Sequence, residues 1–440
     1  MTNIYIQSQG CSANLVEAQS MTGLLSEAGF RIVSEMESDV NILNICALSG
    51  NSAPLREIKK FSEQYPDKKL IVTGCITGDL IRPIRELNES ASLINTHNIH
   101  RVVEAVEESL QGNILEALAH EQRIKDSLPK IKTNKIIGII PIANGCADNC
   151  AYCSSKLVKG NIFSYPEAYV VDEVKKAVDD GCKEIWLTSE DNGAYGLDNN
   201  EYKLPALLNA ILEKAPGNYK IRLGAANPRH VLAMIDELIA AYRDDRMFKF
   251  LHIPAESGNN EILGKMDRKY SVHDYKQIVE KFRRYIPDIT IASDMIVGFP
   301  TETELQFQDS LHLIQDVKFD ILNIARYSSM HKPAGAGMEG QVPVNIRNER
   351  SREMTELFER IALHKNRNWI GWEGSIIVDE KGKDNTMVGR NFAYEPVVVP
   401  GSCNLGQEVY VKILYATPYD LRGKVIEKTV GMDSSKGSFS

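Results

Sequence analysis

No run of apolar residues in the chain is long enough to span a bilayer as a helix, so a helical membrane protein is not expected. The opening residues, MTNIYIQSQGCS, have neither the basic nor the apolar region of a secretory leader, and a cytoplasmic protein with no membrane partner is the expectation. There is no low-complexity tract and no short internal repeat. Cysteine is sparse, at eight in 440 residues. In a reducing compartment so few thiols suit metal ligation better than disulfides. Positive charge is not in excess either: the net charge of −8 argues against bulk attraction to a polyanion. What remains is ordinary globular material, 43% hydrophobic and 25% charged, enough for two or three domains.

The thiols present are not scattered evenly. The stretch Asn144-Gly145-Cys146-Ala147-Asp148-Asn149-Cys150-Ala151-Tyr152-Cys153 spaces three of them C-x3-C-x2-C. That spacing does not alternate at period two and does not share one helix face, so it is not packing. A disulfide inside so tight a loop has poor geometry. A soft metal centre satisfies all three thiolates. Closed structural zinc needs a fourth ligand, yet the next Cys is Cys182 and the next His is His230. A [4Fe–4S] cluster accommodates three thiolates, because its fourth iron can take a small molecule. A zinc or disulfide loop is the competing reading. With Tyr152 just before the last Cys, the loop resembles that of the radical S-adenosylmethionine (SAM) enzymes. The resemblance implies SAM on the open iron of Cys146, Cys150 and Cys153, and its reduction to a 5′-deoxyadenosyl radical.

The first third alternates short strands with helices, which predicts a parallel sheet covered on both faces. Ile4-Tyr5-Ile6, Val40–Ile45 and Leu70–Thr73 are expected strands, and Asn14 is the expected N-cap of the helix after the first. Cys11, Cys46 and Cys75 each follow a strand end, where an open parallel sheet forms its ligand crevice. Gly10 and Gly74 precede two of them and allow close backbone approach. Buried small thiols are the alternative. QGCSAN, NICAL and TGC resemble the YGCxxN, NTCA and AGC/TGC segments of the methylthiotransferases. Gln9 and Ile45 depart from the usual Tyr and Thr. The resemblance implies a second, auxiliary [4Fe–4S] cluster on Cys11, Cys46 and Cys75.

In the middle third, strands expected at Ile136–Ile142, Glu184–Thr188, Tyr219–Leu223, Phe248–Leu251, Ile289–Ser293 and Asp320–Asn323 make about six βα units. These suit a partial (βα)6 barrel with its site at the strand C-termini. Ser189, Glu190, Asn227, His252, Glu256 and Asp294 stand at or just past those ends, and with Tyr152 they are the candidate SAM and substrate contacts. Their segments resemble LTSQDTGAYG, NP, HLPVQSG and TDIIVGFPGET of the same family. Glu stands at 190 and 256 where the family carries Gln. Each carboxylate could tighten a sulfonium contact or alter substrate choice.

After an Arg-rich helix at roughly Val344–Trp369, five short strands alternate with turns and suit a small RNA-binding barrel. Gly389-Arg390, Pro396–Val399 and Ala416-Thr417-Pro418 resemble the TRAM domain. Arg350, Arg352, Arg390, Lys412 and Arg422 are the candidate RNA contacts, and Arg360, Lys365, Arg367 and the Lys130–Lys135 stretch are further basic surface. Cys182 and Cys403 are expected to be buried thiols.

The expected fold class is α/β: an N-terminal open parallel-sheet domain (1–111), a linker (112–134), a radical SAM partial barrel (135–368), a TRAM-like small β-barrel (369–430) and a polar tail (431–440). The segments most resemble the archaeal and eukaryotic branch of the family, which forms the 2-methylthio derivative of N6-threonylcarbamoyladenosine at position 37 of tRNA. The resemblance implies two uses of SAM, one to methylate sulfur at the auxiliary cluster and one to generate the radical that takes the adenine C2–H. It also implies the anticodon stem-loop of tRNA, an electron donor and a sulfur source as partners of a monomer. Three other readings are a sister enzyme acting on isopentenyladenosine or a ribosomal-protein residue, a one-cluster radical SAM methyltransferase, and a non-catalytic RNA-binding protein with a structural metal.

Overall fold

The structure is a computed structural model and describes residues 1–46, 50–121, 128–132, 134–328, 337–401 and 403–427. Ala47, Leu48, Thr133 and the expected tail at 431–440 lie outside the described residues. No helix among the described residues is long and apolar enough to cross a membrane.

The N-terminal sheet has six strands in the order Arg31–Ile32, Asn3–Ser8, Val40–Cys46, Lys69–Cys75, Ser92–Asn95, Glu116–Ala117. All pairings are parallel. Apolar side chains leave it on both faces, Ile4, Ile42, Ile71 and Ile94 on one, Leu43, Val72 and Leu93 on the other. The alternation is what a sheet packed between two helical layers requires. The last strand lies beyond residue 111, inside the expected linker. That strand pairs through only two residues, too few to carry a sequence pattern. Further on, Ile131 donates its N–H to the Gln19 carbonyl at 3.1 Å, so the connection packs back on helix Ser12–Glu27.

Six more parallel strands follow in sequential order. Ile137–Pro141, Glu184–Thr188 and Lys220–Leu223 form one run, and Phe250–His252, Thr290–Val297 and Ile321–Arg326 the other. A bridge between Ile221 and Met247 joins the two runs. The expected strand at Phe248–Leu251 starts two residues later, and the bridge at Met247 is made by its neighbours, Ile221 donating to the Arg246 carbonyl at 2.6 Å and Phe248 to the Ile221 carbonyl at 2.9 Å. After strand Lys220–Leu223 come two helices, Pro228–Ala233 and Ile235–Tyr242, separated at Met234. The core of this partial barrel is apolar and continuous, from Ile140 to Ala362 on the final helix, Val344–Asn366. That helix starts beside Gly298, past a strand exit, where Arg347 lies against the glycine. It finishes at the strand entries, where Lys365 pairs with Asp320.

The C-terminal strands Glu373–Lys381, Thr386–Arg390, Pro396–Pro400, Glu408–Ala416 and Leu421–Val425 form a closed barrel. It docks on the strand entries of the larger barrel. Lys249 donates its N–H to the Phe392 carbonyl at 2.8 Å, and Thr290 donates its hydroxyl to Glu395 at 2.9 Å. The Arg222 guanidinium lies 5.3 Å from the Trp186 ring and 5.5 Å from that of Tyr394.

Glu184 is fully buried in this joint. Burial first, then the nearby Asp379 carboxylate, pushes its carboxyl up to about 8. Between the ordinary carboxylate range and about pH 8 the folded protein keeps a proton that the unfolded chain has released. Stability from this group therefore falls as pH rises through that window. Glu184→Gln is expected to remove that slope and to stabilise the protein at pH 8 by on the order of 2 kcal/mol, with little change at pH 5. Melting curves of both proteins at the two pH values check this, and equal slopes would refute it.

Candidate active site

Cys46 and Cys75 are register partners at the exits of adjacent strands. Cys11 is the N-cap residue of helix Ser12–Glu27, on the turn leaving the strand that flanks Cys46. Asn14 is not the N-cap that was expected; it lies inside the helix, where its side chain has tertiary work. Its amide donates to Asn44 Oδ1 (3.3 Å) and to the Ile45 carbonyl (3.1 Å), and the Asn44 amide returns a bond to the Asn14 carbonyl (2.7 Å). Cys11 Sγ donates to Asn14 Oδ1 at 3.4 Å. This fully buried amide pair holds the Cys11 turn on the Cys46 strand. Gly10 has φ +133°, and a Cβ there would stand 2.6 Å from that of Cys46.

The second triad lies on the loop after strand Ile137–Pro141. Gly145, at φ +76°, would with any side chain run into the Asn161 carbonyl. Asp148, between the first two cysteines, ties the loop to the next strand exits. It accepts from Asn227 Nδ2 (2.6 Å) and Arg229 (2.9 Å), and His230 Nε2 lies 3.3 Å away. His230 also faces Asp191 at 3.5 Å, and Asp191 accepts the Asn227 and Gly193 N–H groups. The ligand atoms of Asp148, Asp191 and His230 lie within 4.8 Å of one another, but these bonds engage them as a clamp on the cysteine loop. Burial opposes the Asp148 charge, yet His230 and Arg229 hold its carboxyl below the ordinary range. Arg268 donates to Cys150 Sγ at 3.4 Å and to the Pro254 carbonyl at 3.3 Å.

The remaining candidates ring the same strand exits. His252 Nε2 pairs with Asp294 at 2.8 Å, and Asn323 donates to the other Asp294 oxygen at 2.7 Å. Glu256, in the left-handed region at φ 64°, accepts the Tyr152 hydroxyl at 2.6 Å. Burial pushes its carboxyl up to about 7, against the pull of Arg268. Its charge thus answers to Tyr152 and Arg268 beside the cysteine loop. Ser189 Oγ is buried and has no hydrogen-bond partner among the described residues.

The two triads flank one seam. Ser12 Oγ meets Thr188 Oγ1 at 2.8 Å, joining the residue after Cys11 to the residue before Ser189. Lys159, from the helix after the cysteine loop, crosses into the N-terminal domain. Its ammonium donates to Glu17 at 3.0 Å and to Thr96 Oγ1 at 2.6 Å, with both charged side chains 2–3% exposed.

The donor sets suit iron–sulfur clusters. All eight cysteines are free. Burial first, then Asp191 and the other two thiols of its loop, pushes Cys146 up to about 12. The Cys46 hydrogen bond and burial raise Cys75. Thiols crowded this way favour a cationic soft centre, which reverses the shift by binding thiolate. Cys182 is buried as expected, whereas Cys403 is half-buried against the small barrel's core.

The candidate RNA contacts are not brought together. Arg350 is buried and bonds Glu302 at 2.8 Å and Glu304 at 3.3 Å. Arg390 pairs with Asp379 at 3.3 Å over the Tyr394 ring, inside the joint between barrels. Neither is placed to meet an external phosphate. Lys130 and Lys132 are likewise paired, with Glu173 and Asp180. Arg352 and Arg422 are exposed, and Lys412 is partly exposed beside Glu373. Asp148, Lys159, Asp191, His230 and Arg268 were not singled out from the sequence. Asp148 lies inside the cysteine loop and Asp191 directly after Glu190, but no spacing shows what either side chain touches.

Comparison with known proteins agrees with this geometry. Residues 140–314 match the radical SAM superfamily, residues 3–95 the Uncharacterized protein family UPF0004, and residues 370–426 the TRAM domain. A Methanothermobacter thermautotrophicus protein named "Probable threonylcarbamoyladenosine tRNA methylthiotransferase" is 35% identical over 91% of this chain and 95% of its own. The human threonylcarbamoyladenosine tRNA methylthiotransferase is 33% identical over 99% of this chain and 77% of its own. Among solved structures, the radical SAM methyltransferase TsrM of Kitasatospora setae shares the fold, with a TM-score of 0.54 at 13% identity over 76% of this chain and 74% of its own. The chain is a radical SAM methylthiotransferase and belongs to the threonylcarbamoyladenosine tRNA methylthiotransferase family.

Proposed function

We propose that the protein converts N6-threonylcarbamoyladenosine at position 37 of cytoplasmic tRNA to its 2-methylthio derivative, using SAM and two [4Fe–4S] clusters. The observation that carries this reading is the seam: two cysteine triads from different domains, tied across Ser12–Thr188 and Lys159–Glu17. With its cofactors bound, the site would supply a radical able to take an unactivated C2–H and a sulfur to replace it, chemistry no side-chain acid or base performs. Cys146, Cys150 and Cys153 would hold one cluster, and Cys11, Cys46 and Cys75 the other. Asp148, His230 and Arg268 fix the first cysteine loop; His252, Asp294 and Asn323 offer an ordered polar wall for SAM or the base. An electron donor and a sulfur source are required partners. Anaerobic turnover with tRNA carrying threonylcarbamoyladenosine, followed by nucleoside digestion and mass spectrometry, tests the proposal. Recovery of another methylthio nucleoside, or none, would overturn it.

Two surfaces support a tRNA substrate. On the small barrel, Leu414, Tyr415 and Tyr419 are exposed beside Arg422 and Lys424, and Tyr415 is the register partner of Arg422. Exposed aromatics among cations suit stacked bases and phosphates. Along helix Val344–Asn366 and its continuation, the exposed Arg352, Arg360 and Arg367 recur at helical spacing on one side. The double variant Tyr415→Ala/Arg422→Glu is expected to weaken tRNA binding by about 1–3 kcal/mol. SAM cleavage in the absence of tRNA should stay unchanged. Filter binding and 5′-deoxyadenosine assays read the two effects, and unaltered affinity would remove this face from the RNA path.

A further inference from the structure

Lys159 is a buried cation that the radical chemistry of its own domain does not use. It leaves helix Ser155–Lys159, six residues after Cys153, and ends inside the neighbouring domain. Its partners there are not incidental. Glu17 lies on the helix that Cys11 caps, and Thr96 follows strand Ser92–Asn95, donating its N–H to the Gly74 carbonyl at 2.8 Å. Gly74 adjoins Cys75. Thr96 also hydrogen-bonds Glu17, closing a triangle with the ammonium. Through Thr96 the ammonium is therefore linked by two hydrogen bonds to the Gly74 carbonyl, next to Cys75. Burial opposes the ammonium itself, but Glu17, then Cys75 and Glu190, hold it above the ordinary lysine range. Glu190 is the residue after Ser189 at the barrel's strand exit, so the ammonium stands between groups of both cysteine sites.

We propose that Lys159 is a positioning residue of the auxiliary cluster: donated by the barrel, it locks the seam through Glu17 and Thr96 and holds the ammonium of this buried ion pair beside the Cys75 turn, where the two opposite charges set the reduction potential of the centre that Cys11, Cys46 and Cys75 hold. The inference rests on the two-cluster reading above. Its physical content is the sign of a charge. A cation beside a cluster favours the reduced state, whose added electron it attracts, and an anion disfavours it. Buried at 2–3% exposure, both charges are screened by salt far less than surface charges.

The test uses the full-length chain carrying Cys146→Ala, Cys150→Ala and Cys153→Ala, so that only the auxiliary cluster remains. It is a potentiometric titration followed by electron paramagnetic resonance. Lys159→Met is expected to shift the midpoint potential downward, and Glu17→Gln upward. Lys159→Arg should stay near the parent. A merely structural role for the ion pair would move Met and Gln variants in the same direction or leave both unmoved, and either result overturns the proposal. If Lys159→Met fails to hold iron, Glu17→Gln decides: an upward shift supports the assignment and an unchanged potential overturns it. Absence of iron from the parent background would overturn the two-cluster reading and this inference together, whereas iron with unmoved potentials overturns this inference alone.

Discussion

Replacing Cys146, Cys150 and Cys153 together by Ala is expected to cut the iron bound after anaerobic reconstitution from about eight to about four atoms per chain, and to abolish formation of 5′-deoxyadenosine. The two triads are held by separate backbones. Cys11, Cys46 and Cys75 stand on the N-terminal sheet and its first helix, while the other three share one loop pinned by Asp148 and Arg268. Loss of one set should therefore leave the other loaded. A fall from about four to none would mean that the N-terminal thiols hold no cluster, and a one-cluster radical enzyme would replace the present reading. The single variant Cys150→Ala gives the sharper kinetic test. SAM cleavage that survives it would sink the role assigned to that loop.

The second large effect is expected at a residue that binds neither metal nor substrate. Asn14→Ala removes the amide that bridges Asn44 and the Ile45 carbonyl and the acceptor of the Cys11 thiol. Asn14 and Asn44 are fully buried, so the Asn44 side-chain oxygen and the Ile45 carbonyl each lose a partner away from the surface. The cost should be about 2–3 kcal/mol of stability. Beyond stability, the Cys11 turn loses the side-chain half of its anchor to the Cys46 strand, keeping the Asn44 bond to the residue-14 carbonyl and the Gln9 N–H bond to the Asn44 carbonyl. The variant should lose the auxiliary cluster selectively, keeping about four irons and SAM cleavage while losing methylthio transfer. Retention of about eight irons with full transfer would show that the asparagine pair is only packing.

These two variants mark what could and could not be read from the chain alone. The cysteine triads were legible because local order carries them: one set by close spacing, the other by recurrence after strand ends that a parallel sheet brings together. The polar residues past the barrel strands were legible for the same reason. Asn14 was misread because an Asn near a helix start is equally a cap and a tertiary donor, and only the neighbouring strand's Asn44 decides. Arg350 and Arg390 were misassigned because sequence does not show which carboxylate claims a guanidinium; Glu302, from another element of the barrel, and Asp379, on the neighbouring strand, claim them. Lys159 and His230 were passed over for the complementary reason. Their partners, Glu17 and Thr96, Asp148 and Asp191, are assembled by domain packing and loop return, which leave no periodic trace.

The course of helix Val344–Asn366, from strand exits to strand entries, has a geometric consequence. At 23 residues it is about 35 Å long. It spans from the strand exits, where the cysteine loop lies, to the strand entries on which the small barrel docks, and Tyr419 of that barrel reaches back to Glu359 on the last third of the helix. The helix is thus a measuring rod. If tRNA binds both faces as proposed, an oligonucleotide shorter than the rod would present its base to the cysteine loops without touching the small barrel. Such a fragment would forfeit the remote part of the binding energy, and length, independent of the modified base, would become a criterion by which substrates are sorted.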